Sequence, residues 1–250
     1  MKKSRFFLNF LISVLLITFK FYYIKAEETL ERSKTEETLE TCEKLPNELT
    51  KKTNLVLVID KSGSMLKLTD DTIKNVNSII SEQKSIKSGE VYVTTVMFND
   101  GRSVVHSNKK LDEVESITKN NYEAEGCTAL FDAVGNTIAE LSSFLEKEDK
   151  NNKSKVVFII ITDGLENCSK EFNKEKILKI ISDKKNNDKW EFVFLGANID
   201  SASVADEMGI DKEYARDFKA DSDGIKKACK LASLAVTQVR NDKNIYLGDA

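Results

Sequence analysis

The chain has 250 residues, 40% hydrophobic and 32% charged, with 38 basic and 41 acidic side chains. That length suits one large domain or two small ones, and the apolar content is too high for global disorder. One proline and ten glycines exclude collagen-like and proline-rich classes. The single histidine, His106, excludes a His-rich zinc site, a His/Cys zinc finger and a two-histidine metalloprotease helix, and cysteines at 42, 127, 168 and 229 are too scattered for a CxxC motif.

The N-terminus reads separately. Met1 to Arg5 is basic, Phe6 to Phe19 is apolar apart from Asn9, Ser13 and Thr18, and Glu27-Glu28 follow Ala26. A basic head before a short apolar run is the pattern of a secretory signal, and the run is shorter than the ~20 residues that span a bilayer. Residues 1–26 are therefore expected to direct export, with cleavage after Ala26. The alternative keeps residues 6–24 as an uncleaved anchor with Lys20 snorkelling, the only expected membrane contact. The expected location is secreted, or tethered at the cell surface. Residues 1–26 carry five bases and no acid, so the remainder has 33 bases against 41 acids, a net charge of −8. This argues against nucleic-acid binding, which requires neutralising phosphates. Residues 27–50 hold eight glutamates and three bases, with Glu-Glu-Thr-Leu-Glu at 27–31 and again at 36–40, and read as an acidic linker. Residues 51–250 form the domain.

From Asn54 onward strand and helix patterns alternate. Leu55 to Ile59 is an unbroken apolar run ending in Asp60, as expected of a strand buried on both faces. Asp70 to Lys87 shows helical spacing in Ile73, Val76, Ile79, Ile80 and Ile86. Val91 to Phe98 reads as a strand. Asn99-Asp100-Gly101 is a hairpin signal, which predicts that Arg102 to His106 returns antiparallel at the sheet edge. Residues 111–118 are expected to form a short helix, and Ala129 to Glu146 a longer one. Val156 to Ile161 is a second wholly apolar strand ending in Thr162-Asp163-Gly164. Beyond it the pattern gives a helix over Lys174 to Lys185, a strand over Glu191 to Leu195, a short helix at 201–208, an edge strand over Tyr214 to Phe218 and a final helix over Asp221 to Arg240. The alternation predicts an α/β fold: a doubly wound, mostly parallel sheet with one antiparallel edge strand and helices on both faces. Ligands of such sheets bind beyond the carboxyl ends of the strands, where Asp60 and Asp163 fall.

Three separated segments carry the chemistry: Asp60-Lys61-Ser62-Gly63-Ser64-Met65, Gly126-Cys127-Thr128-Ala129-Leu130 and Thr162-Asp163-Gly164. They offer carboxylates and hydroxyls with no imidazole and no required thiolate. Hard divalent cations take that oxygen set, Mg²⁺ in octahedral geometry with retained waters and Mn²⁺ in the same geometry. The alternation Asp60-x-Ser62-x-Ser64 lets a turning loop aim every second side chain at one point. Taken singly, Asp60 and Asp163 also suit helix caps or turns, Ser62 and Ser64 loop polarity, and Thr128 a helix N-cap.

In this order and at these strand and helix ends, the three segments resemble the metal-ion-dependent adhesion site of von Willebrand factor type A domains, over roughly Asn54 to Arg240. Gly164-Leu165-Glu166-Asn167 and Phe194-Leu195-Gly196-Ala197-Asn198 look more like bacterial and phage members than animal integrins. The resemblance implies a Rossmann-like fold in which Ser62 and Ser64 coordinate the metal, Thr128 coordinates it directly or through water, and Asp60 and Asp163 hold metal-bound waters and the serine hydroxyls. It implies Mg²⁺, or Mn²⁺, with Ca²⁺ the poorer fit, and a partner protein whose Asp or Glu fills the open position. Glu166 and Asn167 sit where they would contact the ligand or serve as a turn or cap. His106 is expected at the surface and Trp190 in packing.

Export permits disulfides. Cys127 and Cys168 fall on loops of the metal face, and Cys42 and Cys229 near the two chain ends, which favours Cys127–Cys168 and Cys42–Cys229; four free, half-buried thiols are the alternative. The function expected is a non-enzymatic, exported, protein-binding module. A Mg²⁺-dependent phosphatase or phosphotransferase using Asp60 lacks the second Asp, because Ser62 occupies its place. A serine hydrolase on Ser62 or Ser64 would need His106 as base and lacks a Gly-x-Ser-x-Gly elbow. An intracellular adaptor of a multiprotein assembly is the remaining alternative.

Overall fold

A computed structural model of the chain describes residue 25 and residues 51–148 and 153–248. The chain divides into Met1–Leu49 and Thr50–Ala250, and the fold is that of the second unit. The expected leader, apart from Lys25, the acidic linker and Cys42 lie outside the described residues. Among the described residues no helix is long and apolar enough to cross a membrane.

Six strands form one sheet in the order β3-β2-β1-β4-β5-β6: β1 (Lys52–Asp60), β2 (Glu90–Phe98), β3 (Arg102–Lys110), β4 (Lys155–Thr162), β5 (Glu191–Ala197) and β6 (Ala215–Phe218). All neighbours are parallel except β2 and β3. The helices are α1 (Thr69–Ser85), α2 (Leu130–Leu145), α3 (Lys174–Asp188), α4 (Ser201–Met208) and α5 (Ser222–Arg240). The architecture is the expected α/β one.

The apolar runs explain the layering. In β1 and β4 successive side chains point to opposite faces, so a run with no polar break must be covered twice. Leu55, Leu57 and Ile59 pack with Ile159 and Ile161 beneath Val76 and Ile79 of α1 and Ala232 and Val236 of α5. Val56, Val58, Phe158 and Ile160 face the other way, against Leu130 and Val134 of α2, Ile177 and Ile181 of α3 and Met208 of α4. Fully burying one such side chain contributes roughly 1.5–3 kcal/mol, so two continuous layers fix the strand register.

From β1 the chain builds outward through β2 and β3 on one side, and through β4, β5 and β6 on the other. The β1/β4 boundary is therefore the point where the winding reverses, and Asp60 and Thr162 end the two strands that meet there.

Three expectations change. The helix expected at 111–118 shrinks to a single 3₁₀ turn, Leu111–Glu113. Beyond it Val114, Ile117 and Tyr122 are buried one by one from an irregular loop, so tertiary burial rather than helical periodicity places them. The return strand runs to Lys110 rather than ending at His106, with register shifts opposite Thr95 and with Asn108 in the left-handed region, which asparagine tolerates. That loop also explains His106, which is only 5% exposed instead of lying at the surface. Its Nδ1 is 3.1 Å from Thr95 Oγ1, and burial, the largest cause, pulls its pKa below the ordinary 6.5. Trp190 is buried and stacked on Phe192, in packing as expected.

Candidate metal centre

The centre is built where β1 stops. Asp60 is fully buried; its Oδ1 accepts a 2.6 Å bond from the Ser62 backbone N–H and its Oδ2 a 2.5 Å bond from Thr162 Oγ1. The first bond folds the chain back on the carboxylate, so the residues after the strand turn instead of continuing the sheet. Lys61 N still donates to Phe98 O, Gly63 N donates to Gly126 O, and a 3₁₀ helix, Gly63–Leu68, comes next, anchored by Met65 at zero exposure. Buried Met65 lies between exposed Ser64 and Leu66, which leaves the Ser64 hydroxyl at the surface.

The Asp60-x-Ser62-x-Ser64 alternation brings Ser62 Oγ and Ser64 Oγ within 3.1 Å of each other. Ser64 Oγ donates to Asp163 Oδ1 at 2.5 Å, joining segments 99 residues apart. Thr128 is 3% exposed. A methyl group placed on Gly164 would lie 3.2 Å from Thr128 Oγ1 and 4.0 Å from Ser64 Oγ, so the glycine keeps open a space toward which two of the segments aim hydroxyls. Asp60, Ser62, Ser64, Thr128 and Asp163 are thus brought to one end of the β1/β4 boundary.

Electrostatics mark the same spot. Burial pushes the Asp60 carboxyl above its usual range, opposed by the hydrogen bonds from Thr162 and Ser62 and reinforced by the nearby Asp163 charge. Burial also raises Asp163, opposed by the Ser64 hydroxyl. Among the described residues neither carboxyl has a basic side chain as a cause of its shift. Two acids with hydroxyl partners lie close together, an arrangement a bound cation would relieve. Among the described residues no group of three or more His, Cys, Asp or Glu is placed to hold a metal. The donor set is hydroxyl-rich, with only two carboxylates.

Glu166 makes a capping contact to α2, and Asn167 bonds the backbone of Thr128, one residue before the helix cap. Glu166 Oε2 accepts from Phe131 N in the first turn of α2, and its Oε1 accepts from Cys168 N and Ser169 N. Asn167 Oδ1 accepts from Thr128 N, while Asn167 N donates to Thr128 O. Helix α2 thus receives its N-terminal acceptor from the segment after β4, because Ala129 at its own cap position has no side-chain oxygen to offer.

Cys127 and Cys168 are disulfide-bonded, with Cα atoms 6.2 Å apart. Cys229 is a free thiol, 3% exposed within the α5 core face, and burial pushes it up to about 12. Cys42, the partner expected for Cys229, lies outside the described residues.

Residues outside the expected set also support the centre. Thr162 bonds the Asp60 carboxylate and accepts from Gly164 N. Tyr122 Oη donates to Asp60 O at 2.6 Å. Asn99 O accepts from Ala129 N, and its side chain donates to Glu125 O. Thr162 has a signal in the sequence, since it adjoins Asp163 at a strand end. Tyr122 and Asn99 have none, because only the folded loop brings them to the site.

A doubly wound sheet with carboxylates and hydroxyls gathered at its winding reversal defines the class of protein. Residues 54–224 match the von Willebrand factor type A domain, and the chain belongs to that family. No curated protein matches the chain. Among solved structures, proximal thread matrix protein 1 from the mussel byssus is similar at 16% identity and TM-score 0.50, over 75% of this chain and 47% of that one. The PilB minor pilin from Streptococcus sanguinis is similar at 12% identity and TM-score 0.54, over 79% and 63%. The pilus adhesin SpaC from Lactobacillus rhamnosus GG is similar at 14% identity and TM-score 0.56, over 76% and 30%. The chain spans less than two thirds of the length of each.

Proposed function

We propose that this domain is a non-enzymatic, metal-dependent protein-binding module, exported and displayed or released at the cell surface. The cation would be Mg²⁺ or Mn²⁺, held by Ser62, Ser64 and Thr128, with Asp60 and Asp163 orienting those hydroxyls and the waters around the ion. The observation that carries this reading is the Ser62–Ser64–Asp163 chain of hydroxyl and carboxylate contacts, with Thr128 Oγ1 across the Gly164 space. When bound, the cation supplies an electrophilic position for an Asp or Glu carboxylate of the partner. The chain's own residues do the rest: buried Asp60 pins the Ser62 backbone, Asp163 orients the Ser64 hydroxyl, and the Asn167 clasp holds Thr128.

The non-enzymatic part rests on the missing proton chemistry. His106, the base that a serine nucleophile would need, is engaged with Thr95 inside the sheet edge. The surface assignment draws on the basic-apolar leader pattern and on the disulfide, which persists in oxidising compartments. Two of the similar structures, a minor pilin and a pilus adhesin, agree with a binding role at a cell surface.

Calorimetry tests the site and capture tests the role. Wild type should bind Mg²⁺ and Mn²⁺, and the double variant Ser62→Ala/Ser64→Ala should lose that heat while keeping its circular dichroism spectrum. Retained metal binding by the double variant would overturn the assignment. A pull-down in Mg²⁺ against chelator, comparing wild type with Asp60→Ala, should show partners captured only by wild type with metal present.

A further inference from the structure

We propose that the Cys127–Cys168 disulfide is a positioning device for Thr128, so that the affinity of the centre for a divalent cation depends on the thiol–disulfide state of this pair. This control rests on the metal-dependent function proposed for the same site.

The hydroxyls of the centre are held in different ways. Ser62 and Ser64 come directly after β1, and their loop is fixed by the Asp60 carboxylate, by Gly126 O and by buried Met65. Asp163 comes directly after β4. Thr128 has no strand behind it. Between Glu113 and Leu130 the chain contains no helix or strand, and Gly126, two residues before Thr128, is exposed and in the left-handed region. Thr128 therefore hangs at the end of an irregular stretch and takes its place from what grips it.

Its neighbours Gly126 and Ala129 are bonded to Gly63 N and Asn99 O, and Thr128 itself is gripped by the segment after β4, in adjoining rungs. Cys127 is bonded to Cys168. Thr128 is clasped by Asn167 through Thr128 N to Asn167 Oδ1, 2.9 Å, and Asn167 N to Thr128 O, 3.0 Å. Phe131 N then bonds Glu166 Oε2 at 2.8 Å, and the other Glu166 oxygen accepts from Cys168 N. The covalent rung thus ties Thr128's neighbour to Asn167's neighbour, and the segment that grips Thr128 also carries Asp163. Hydrogen bonds to partly exposed groups open locally, whereas a covalent rung does not. With the disulfide intact, the Thr128 hydroxyl stays registered against Asp163 and Ser64; without it, the link between Thr128 and the segment that carries Asp163 is hydrogen-bonded only, while the rest of the loop keeps its bonds to Asp60 O, Lys61 O, Gly63 N and Asn99.

Both cysteines are half-buried, so a small dithiol reaches them. The reduction balances simply. A dithiol gives two electrons to the Cys127–Cys168 bond and closes to its own cyclic disulfide, and its two protons finish on the Cys127 and Cys168 sulfurs. Buried Cys229 takes no part.

The test uses the full chain with Mn²⁺ or Mg²⁺ alone as probe. Calorimetry compares oxidised protein with dithiol-reduced protein, and mass mapping of the peptides containing residues 127 and 168 follows their thiol state. We expect about tenfold weaker binding on reduction and the same loss in Cys127→Ala/Cys168→Ala. Thermodynamic reciprocity gives a second, independent readout of the same coupling: saturating Mg²⁺ should lower the reduction potential of the disulfide by about 30 mV, the equivalent of tenfold for a two-electron couple. In a Thr128→Ala background, oxidised and reduced protein should bind the metal equally. Should the double cysteine variant fold poorly, the dithiol titration of wild type carries the experiment. Equal affinity in both states with no shift in potential would overturn the inference alone, as would a dithiol effect that survives in Thr128→Ala. No metal binding even by oxidised wild type would overturn the metal reading, and this inference with it.

Discussion

Two buried charges sit at opposite ends of the sheet, and they are handled differently. At the amino end, Arg240 is 5% exposed, and its guanidinium donates to Gln83 O, Gln83 Oε1, Ile86 O and Ser88 O. Those acceptors include carbonyls at the end of α1 and in the chain beyond it, so the cation stitches the α1 terminus to α5 and presents nothing to solvent. At the carboxyl end, Asp60 is equally buried, yet its partners are a backbone N–H and a hydroxyl, with a second acid nearby and no cation. A buried charge whose terminal nitrogens donate to fixed carbonyls is architecture. A buried carboxyl whose partners are only a backbone N–H and a hydroxyl is the place where the proposed cation would add the missing charge.

The largest expected effect lies at the architectural end. Arg240→Ala strands several buried acceptors and leaves a void, which should cost on the order of 3 kcal/mol. Urea unfolding should show the midpoint falling with little change in slope. Mg²⁺ affinity should remain at the wild-type value, since no Arg240 contact reaches the centre. A variant that lost metal binding without losing stability would break the comparison.

Next in size is removal of the cation from the functional end. At a metal concentration 100 times its dissociation constant, binding to the native state alone stabilises it by about 2.7 kcal/mol. For a domain of this size that corresponds to about 5–10 °C in melting temperature. Chelator should therefore lower the melting temperature of wild type and of Arg240→Ala by similar amounts, and leave Ser62→Ala/Ser64→Ala unmoved. A scan of melting temperature against free Mg²⁺ checks all three.

The two ends also differ in how much the sequence reveals. Asp60 and Asp163 are legible because each ends an apolar run that only a doubly covered strand explains, and Ser62 and Ser64 because alternate residues of a turn share a direction. The parallel sheet, its antiparallel edge and five helices come from the same periodicities. Arg240 reads as the last residue of an amphipathic helix, since nothing local distinguishes a basic residue at a helix end from one buried under α1. Tyr122, Asn99 and the inward turn of Val114 and Ile117 are equally hidden, because their places come from a loop bonded to α1 and to the end of β1 and not from any period in the chain. His106 reads as a surface residue for that reason, and residues 111–118 read as a helix for want of a signal that separates scattered loop burial from helical spacing. Glu166 and Asn167 suit rim and cap alike in the sequence; the first turn of α2, which lacks an acceptor of its own, adds a capping contact for Glu166.

His106 offers a smaller, pH-dependent contrast with both ends. Burial holds its folded-state pKa below the ordinary 6.5, so the unfolded chain binds the proton more readily. Stability from this group is full above pH 6.5 and is lost as pH falls from 6.5 through the depressed folded value. His106→Gln, which keeps a side chain able to bond Thr95, should flatten that part of the stability curve. Denaturant midpoints measured every half unit from about pH 7.5 to about pH 5 would show it, and an unchanged slope would mean that other groups carry the acid sensitivity.

The smallest expected effect on the fold is at the rim of the functional end. Leu66 and Leu165 are 64% and 56% exposed, one lying two residues beyond Ser64 and the other adjoining Gly164. Replacing either by Ser removes no core contact, so stability should stay within about 0.5 kcal/mol of wild type. Metal affinity should stay constant too, since neither side chain offers an oxygen to the ion. What these substitutions would change is the apolar surface beside the proposed carboxylate position. A pull-down in Mg²⁺ that loses its captured protein on Leu165→Ser, with calorimetry and melting unchanged, would separate the partner surface from the cation it surrounds. A change in metal affinity would instead show that the rim and the ion site are one mechanical unit.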